Sequence, residues 1–352
     1  MSATPSAMRS FHPTAAVEAI AVPQSLTYNW EYASPRQRLA RLYENAKRDQ
    51  WNGSARLDWS TDVDPEKGLM PDAAIGIYGT EIWQRLDARQ IERLRHEAIT
   101  WQLCQFLHGE QGALLATAQI VNSVPWFEAK MYGSTQVMDE ARHVEVYRRF
   151  ILEKLGNEYE VNSELKKLLD QILEDSRWDI KFLGMQVIVE GLALAAFGTM
   201  RDTTTNPLLR DLTSAVMEDE SRHVAFGVLS LREFCQDLPQ KDKEEREDFV
   251  YEACVLMRDR IQSREVWERL DLDADLCIEH AERSGLAAQF RHRLFSKIVP
   301  NVKSLGLLSP RQRERFHALD ILQYEHETTS DAEHDMEIER RVRAGELSVA
   351  AS

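Results

Sequence analysis

From Asp87 onward, apolar residues recur every three or four positions, the spacing of one helix face. The stretch "DARQIERLRHEAITWQLCQFLHGEQGALLATAQIV" predicts one long helix, closed by the turn "NSVP" at Pro125. "FEAKMYGSTQVMDEARHVEVYRRFILEKL" predicts a second, which reaches about Leu155 and stops at Gly156. A third helical region covers 160–200, with a break near Ser176. "TTTNP" then offers Asn206 as a cap and Pro207 as the first residue of a helix that ends before Pro239. Residues 240–345 read as further charged helical segments, one starting near Pro310 in "SPRQRERF". Residues 1–85 show no sustained period and are expected to be irregular, beginning with a mobile arm. The expected fold is all-α, with an irregular segment over 1–85, a helical core over 86–238 and a helical extension over 239–352.

Within the third region, "GMQVIVEGLALAAFG" (184–198) is apolar except for Gln186 and Glu190. It approaches the length of a membrane span. Its central acid and the return to an amphipathic pattern in "RDTTTNPLLRDL" argue against one. In a protein interior, an ionised carboxylate costs several kcal/mol unless it is paired or bound to a metal. Either the helix turns Glu190 to solvent, or a positive partner meets it inside.

Composition narrows the class. Only 15 Gly and 11 Pro in 352 residues favour long helices over a turn-rich β architecture. The net charge of −15 argues against a nucleic-acid partner, which calls for a basic face. Cys104, Cys235, Cys254 and Cys277 have no C-x-x-C spacing, so neither a disulfide framework nor a thiolate metal site is expected, and a reducing cytoplasm is the expected compartment. The first 25 residues lack the continuous apolar core of a signal peptide.

A repeat supplies the partner for Glu190. "DEARHV" (139–144) and "DESRHV" (219–224) lie 80 residues apart, and the same offset carries Glu190 back to Glu110, the acid of "FLHGEQGALLATA". Each half thus has an acid on an apolar helix and, 30 residues later, an E-x-x-H motif: Glu110, Glu140 and His143, then Glu190, Glu220 and His223. In E-x-x-H the two side chains share one side of a helix. The midpoints of the 30-residue gaps are Pro125 and residue 205, both in turn sequences, so each gap is an antiparallel hairpin that brings its donors level. Two such hairpins packed together make a four-helix bundle with six donors inside. Four carboxylates balance two divalent ions, and carboxylate with imidazole but no thiolate favours iron or manganese.

A Glu from each of two helices plus Glu-x-x-His from each of the others resembles the ferritin-like di-iron carboxylate superfamily, with bacterial di-iron monooxygenases and ribonucleotide reductase small subunits as the nearest groups. The resemblance covers about residues 85–236. It implies two Fe ions, or a Mn/Fe pair, with O2 as co-substrate. It also implies that Asp139 supports His223 and Asp219 supports His143 from the opposite half. Arg142 and Arg222 belong to the same D-E-x-R-H pattern but are expected to face elsewhere, in structural salt bridges. Tyr147, one turn after His143, holds the position of the radical tyrosine of the reductase subunits; a hydrogen-bonded core tyrosine is the alternative. Around the ligands, Phe106, Gly109, Ala113, Leu114, Val187, Leu194 and Phe197 are candidates for an apolar pocket. Gly109 and Gly112 either open that pocket or allow close helix packing. His108, His326 and His334 lack partners at ligand spacing and are expected at the surface.

What the resemblance implies for function is an O2-activating oxygenase that hydroxylates or otherwise oxidises a small organic substrate in that pocket. Two departures matter: the monooxygenases have a Thr where Leu194 stands, and the p-aminobenzoate N-oxygenase group has a further His where Val216 stands, which counts against that group. An acyl-carrier-protein desaturase, a tyrosyl-radical protein and a non-catalytic iron-binding bundle are the alternatives. The first has a longer spacing in its first half. The second usually has Asp in place of Glu110, and the tail "GELSVAAS" has no aromatic residue for a large subunit. Storage bundles need far less chain. No flavin, nicotinamide or iron–sulfur motif is visible, so a separate reductase or ferredoxin is the implied electron donor. No nucleic acid and no membrane are expected as partners, and a homodimer is a possible assembly.

Overall fold

The computed structural model describes residues 18–283, 293–344 and 346. Gln37–Arg48 form a helix, α1, inside the segment expected to be irregular. Leu39, Leu42 and Ala46 are its buried apolar positions, spaced at i, i+3 and i+7. Three apolar positions are too few to stand out along the chain, and so short a helix is fixed by what it packs on rather than by propensity. The expected arm lies mostly outside the described residues. From Glu18 the chain runs without helix, and Thr27 N–H donates to Asn122 O at 2.9 Å.

Four long helices form the bundle: α2 (Ala88–Ser123), α3 (Phe127–Phe150), α5 (Trp178–Thr203) and α6 (Pro207–Asp237), with α4 (Ser163–Glu174) between the two hairpins. Asp87 starts α2 with a reciprocal cap, its Oδ1 accepting from Gln90 N and its own N–H donating to Gln90 Oε1, both at 2.9 Å. Asn206 caps α6 through Leu209 N at 3.0 Å, with Pro207 in the first turn. The break near Ser176 is real. Lys181, buried in α5, donates from Nζ to the carbonyls of Ile172 and Leu173 at 3.0 Å and so satisfies the end of α4. Burial pulls that ammonium down to about 8.

The hairpin α2–α3 lies beside α5–α6, with α1 laid across α3 and α6 and α4 against α2. Two π-helical segments interrupt the regular period: Ile151–Leu155 ends α3 at the left-handed Gly156 (φ 67), and Leu183–Val189 immediately precedes Glu190. Such insertions rotate the residues that follow them and concentrate at functional sites. Trp178–Thr203 is the one described helix long and apolar enough to cross a membrane, and it lies in the bundle interior.

Four further helices extend the core: α7 (Gln240–Asp259), α8 (Arg264–Arg269), α9 (Ala274–Arg283) and α10 (Ile298–Ser304). The chain goes on with α11 (Pro310–Ala318), capped by Ser309 as the sequence suggests, and α12 (Ser330–Arg343), which packs on α6. His334 of α12 corrects its surface assignment, since it is buried and its Nε2 has no hydrogen-bond partner. His108 is half-buried, with Nε2 on Tyr159 O at 2.9 Å.

Burial, aided by Arg222, lowers the His334 imidazole from 6.5 to about 4, with Asp335, Arg38 and Asp49 as its other charged neighbours. The unfolded chain thus binds a proton that the folded one refuses between these two values. Stability is expected to fall as pH drops from about 6.5 to about 4, by at most ~3 kcal/mol from this residue. Urea denaturation of wild type and His334→Gln at pH 7 and pH 4.5 checks it, the variant losing less on acidification. Equal losses in both proteins would remove His334 as the cause.

Candidate metal centre

The two hairpins bring all six predicted donors to one height in the bundle. His143 Nδ1 lies 3.1 Å from Glu220 Oε1, 3.2 Å from Glu110 Oε2 and 3.4 Å from Glu140 Oε2. His223 Nδ1 lies 3.1 Å from Glu140 Oε1 and 3.3 Å from Glu220 Oε2. Glu140 and Glu220 therefore each turn one oxygen toward each imidazole, while Glu110 stands on the His143 side and Glu190 on the His223 side. Donor atoms of Glu110, Glu140, His143 and Glu220 lie within 4.8 Å of one another, as do those of Glu140, Glu190 and His223.

Both imidazoles use their other nitrogen outward. His143 Nε2 meets Asp219 Oδ2 at 3.1 Å and His223 Nε2 meets Asp139 Oδ2 at 3.3 Å, each across the two halves. Burial opposes ionisation of Asp219, but the His143 hydrogen bond and the two arginines hold its carboxyl far below the usual range. A carboxylate only accepts, so the His143 proton sits on Nε2 and the Nδ1 lone pair points into the centre. Arg142 and Arg222 do not face elsewhere. Arg142 bonds Asp139 and, at 2.9 Å, Asp219; Arg222 bonds Asp219 and lies 3.8 Å from Asp139.

The residues fit a pair of cations. Glu140 Oε2, Glu190 Oε2, both Glu220 oxygens and His223 Nδ1 are buried without hydrogen-bond partners, although buried polar atoms are normally satisfied. Burial and the neighbouring Glu220 charge push Glu110 and Glu190 well above the ordinary carboxyl range. Burial pushes Glu140 the same way, yet His223 and His143 pull it below its usual value. Two divalent ions would satisfy the orphaned atoms and let all four acids ionise.

Several side chains escaped the sequence reading. Gln136 Nε2 donates to Glu140 Oε1 and Glu190 Oε1, both at 2.9 Å. It stands one turn before Glu140 on the ligand face, and that spacing is the signal that would have found it. Two turns before Glu140, Tyr132 is buried with an unpartnered hydroxyl, its ring 4.4 Å from that of Phe226. Beyond the aspartates, Gln50 Nε2 donates to Asp139 Oδ1 and Trp51 Nε1 to Asp219 Oδ2, both at 2.8 Å. Tyr147 is buried against Phe106 and Phe197, with centroids 5.9 Å from each, and its hydroxyl has no partner. The hydrogen bond expected of a core tyrosine is missing there. Burial and Glu110 raise that phenol well above its usual value.

A cavity of about 540 Å³ lies on the side of Glu110, Glu190 and Glu220. Phe106, Gly109, Ala113 and Phe197 line it; Leu114, Val187 and Leu194 do not, which corrects the expected pocket. The open side follows Ala113 and Ala193, three residues after the acids, rather than Leu114 and Leu194, four after. Val187 lies in the π segment and is turned toward Gly227 of α6. The two glycines divide: a Cβ on Gly109 would meet nothing within 4 Å, whereas one on Gly112 would come within 2.5 Å of Leu169. Gly109 keeps the cavity open, and Gly112 lets α4 approach α2.

The sequence profile of the family described as P-aminobenzoate N-oxygenase AurF matches residues 33–306. Among solved structures, two variants of an R2-like ligand-binding oxidase with anaerobically reconstituted Mn/Fe cofactor are similar. They have 19% and 20% identity and TM-scores of 0.48, over 76% and 75% of this chain and 94% of each of theirs. The same oxidase with aerobically reconstituted Mn/Fe cofactor has 18% identity over 75% of this chain and 93% of its own, at a TM-score of 0.45. No curated protein is detectably similar in sequence.

Asp219→Asn keeps the shape but removes the charge that orients His143 and fixes its tautomer. It is expected to weaken binding of Fe(II) or Mn(II) by about 10–100-fold, measured by competition with a chelator. Unchanged affinity would show that Asp219 does not position His143 for a metal.

Proposed function

The chain belongs to the P-aminobenzoate N-oxygenase AurF family, and we propose that it is a di-metal oxygenase that uses O2 to oxidise a small organic substrate held beside Glu110 and Glu190. Membership corrects the expectation, drawn from Val216, that this group is disfavoured. That position is apolar and fully buried here, so the seventh donor is absent. The family signal is spread over residues 33–306 and does not hang on that one ligand.

The observation that carries the reading is the pair Glu140 and Glu220, each offering one oxygen to each half of a six-donor centre. In that centre Glu110 and His143 would serve one ion and Glu190 and His223 the other, with Glu140 and Glu220 available to both. A bound pair of iron ions would supply the redox chemistry that activates O2, and the same oxygen and nitrogen donors also accept manganese. The chain's own residues do the rest. Asp139 and Asp219 hold the imidazole protons on Nε2, and Gln136 fixes the Glu140 and Glu190 carboxylates by donating to both. Phe106, Phe197 and Ala113 give the substrate an apolar bed and exclude water from the acids. The oxidised group is an amine in our reading, as the family's description indicates.

Electrons reach the centre from a separate reductase or ferredoxin. The four cysteines are free and buried, which suits a reducing cytoplasm. Leu26, Tyr28, Trp30 and Tyr32 are 65–75% exposed along one extended stretch, and a homodimer would cover them. Tyr147, buried and unbonded beside Glu110, favours a tyrosyl radical as the second reading. A sharp radical signal by electron paramagnetic resonance after O2 exposure would promote it.

Reconstituted protein is expected to bind about two Fe per chain and to change its absorbance when the ferrous form meets O2. With a chemical reductant and a panel of aryl- and alkylamines, ¹⁸O2 should appear in product by mass spectrometry. Glu190→Ala should lose iron and O2 reactivity together. Normal iron content and reactivity in that variant would take Glu190 out of the ligand set, and reduced protein that leaves every amine unlabelled would count against the oxygenase.

A further inference from the structure

The cavity runs well past the metal centre. It follows α2 from Ala113 back to Arg95 and α5 from Val189 to Thr203, and residues 68–76 and 257–267 close it. Among the described residues, three arginines line it. Arg95 is bound through two nitrogens to Asp72, both contacts 2.7 Å, and Arg293 pairs with Asp202 at 3.1 Å. Arg260 differs. Among the described residues no carboxylate lies within ion-pair distance of it, and its one polar contact is Nη1 to Met257 Sδ at 3.7 Å. Packed protein desolvates the guanidinium and lowers it to about 10, with no acid to offset the shift, yet it remains charged at neutral pH. Arg260 is a half-buried cation on the cavity wall that no protein carboxylate pairs, which leaves its fork of donors for a bound anion.

The backbone there is built rather than loose. Arg260–Gln262 form a single 3-10 turn that ends at Ser263 in the left-handed region (φ 53), a conformation disfavoured without glycine. Trp267 Nε1 fixes the turn by donating to Gln262 O at 2.9 Å, and Trp267 itself lines the cavity. Just beyond it, Glu265 accepts from Trp101 Nε1 at 3.1 Å, which places this wall at the level of Trp101 on α2. Trp101 precedes Glu110 by nine residues, roughly 13 Å along a helix.

We propose that Arg260 binds the carboxylate of an elongated, apolar-bodied substrate whose opposite end lies against Glu110 and Glu190. This rests on the oxygenase reading for the role of that second end. One guanidinium matches one negative charge and pairs with a carboxylate through two parallel hydrogen bonds. One aromatic ring would fill little of a cavity that follows α2 from Arg95 to Ala113. The volume, about 540 Å³, lies in the range of sites that enclose much larger molecules.

Trp101 and Trp267 line the cavity, so fluorescence titration of the metal-loaded protein reads occupancy without turnover. Decanoate is expected to bind about ten-fold or more tightly than decan-1-ol. From hexanoate to decanoate, affinity should rise about three- to four-fold per methylene. Arg260→Leu should lose the preference for the acid while decan-1-ol affinity holds, and Arg260→Lys should keep part of it. Arg260→Gln replaces the leucine variant if thermal melting shows that leucine disturbs folding. Equal binding of acid and alcohol by wild type, or wild-type decanoate affinity in the folded leucine or glutamine variant, would overturn the anchor. Affinity that levels off at hexanoate would overturn the elongated substrate. Because the titration needs no O2, an Arg260-dependent preference in a protein inert to O2 would refute the oxygenase reading and leave this site standing.

Discussion

Four carboxylates inside one apolar bundle are the constraint from which the rest of this structure follows. Each is almost completely removed from water, and no arrangement of apolar side chains can lower that cost. The bundle meets it with charge arranged in layers. His143 and His223 face the acids through Nδ1 and face Asp219 and Asp139 through Nε2. Arg142 and Arg222 each contact both aspartates. Two aspartates and two arginines thus form a neutral outer layer that crosses from one hairpin to the other. Pulling the hairpins apart would leave His143, His223 and both arginines short of partners at once, so the electrostatic layer also locks the bundle's register.

That layering gives the centre two unlike faces. On one side stand the outward imidazole nitrogens, the Asp–Arg layer and, beyond it, Gln50 and Trp51 from the turn after α1. On the other side stand Glu110, Glu190 and Glu220 on the cavity wall. Small residues on α2 and α5 make the difference. Gly109, Ala113, Ala193 and Ala196 leave space at the acids, while Phe106 and Phe197, edge to face at 4.7 Å, roof it. Cavity and protein scaffold therefore reach the same six donors from opposite directions, and a change to one need not disturb the other.

The bundle and its donors were legible in the sequence because they are written twice. Two copies of D-E-x-R-H, each 30 residues after a lone acid in an apolar helix and each gap broken by a turn, leave little freedom of geometry. What is written once was lost. Helix α1 shows only three buried apolar positions, and Gln50 and Trp51 touch the aspartates from 89 and 168 residues away, a distance no local pattern records. Leu114, Val187 and Leu194 were placed by counting turns of a regular helix, and the π segment before Glu190 breaks that count. The burial of His334 depends on α12 packing on α6, which periodicity within α12 does not reveal. Counting Val216 against the family gave one missing ligand more weight than a likeness that extends from residue 33 to 306.

Val216 also shows where the repeat stops being symmetric. Its counterpart 80 residues earlier is Gln136, whose amide steadies both a shared acid, Glu140, and the unshared acid of the other half, Glu190. Nothing equivalent holds Glu110, whose oxygen rests on His143 alone among the ligand imidazoles. A second broken pair reinforces the first: Tyr147 is matched by Gly227, and a Cβ on that glycine would come within 2.6 Å of Gln186. The His143 side therefore carries Tyr147 and a loosely held acid, whereas the His223 side carries Tyr132 and an amide-fixed acid. Two chemically alike ligand sets are thereby given unlike surroundings. The duplicated hairpin supplies the six side chains in equal halves, and the unrepeated residues around them make the two halves unequal.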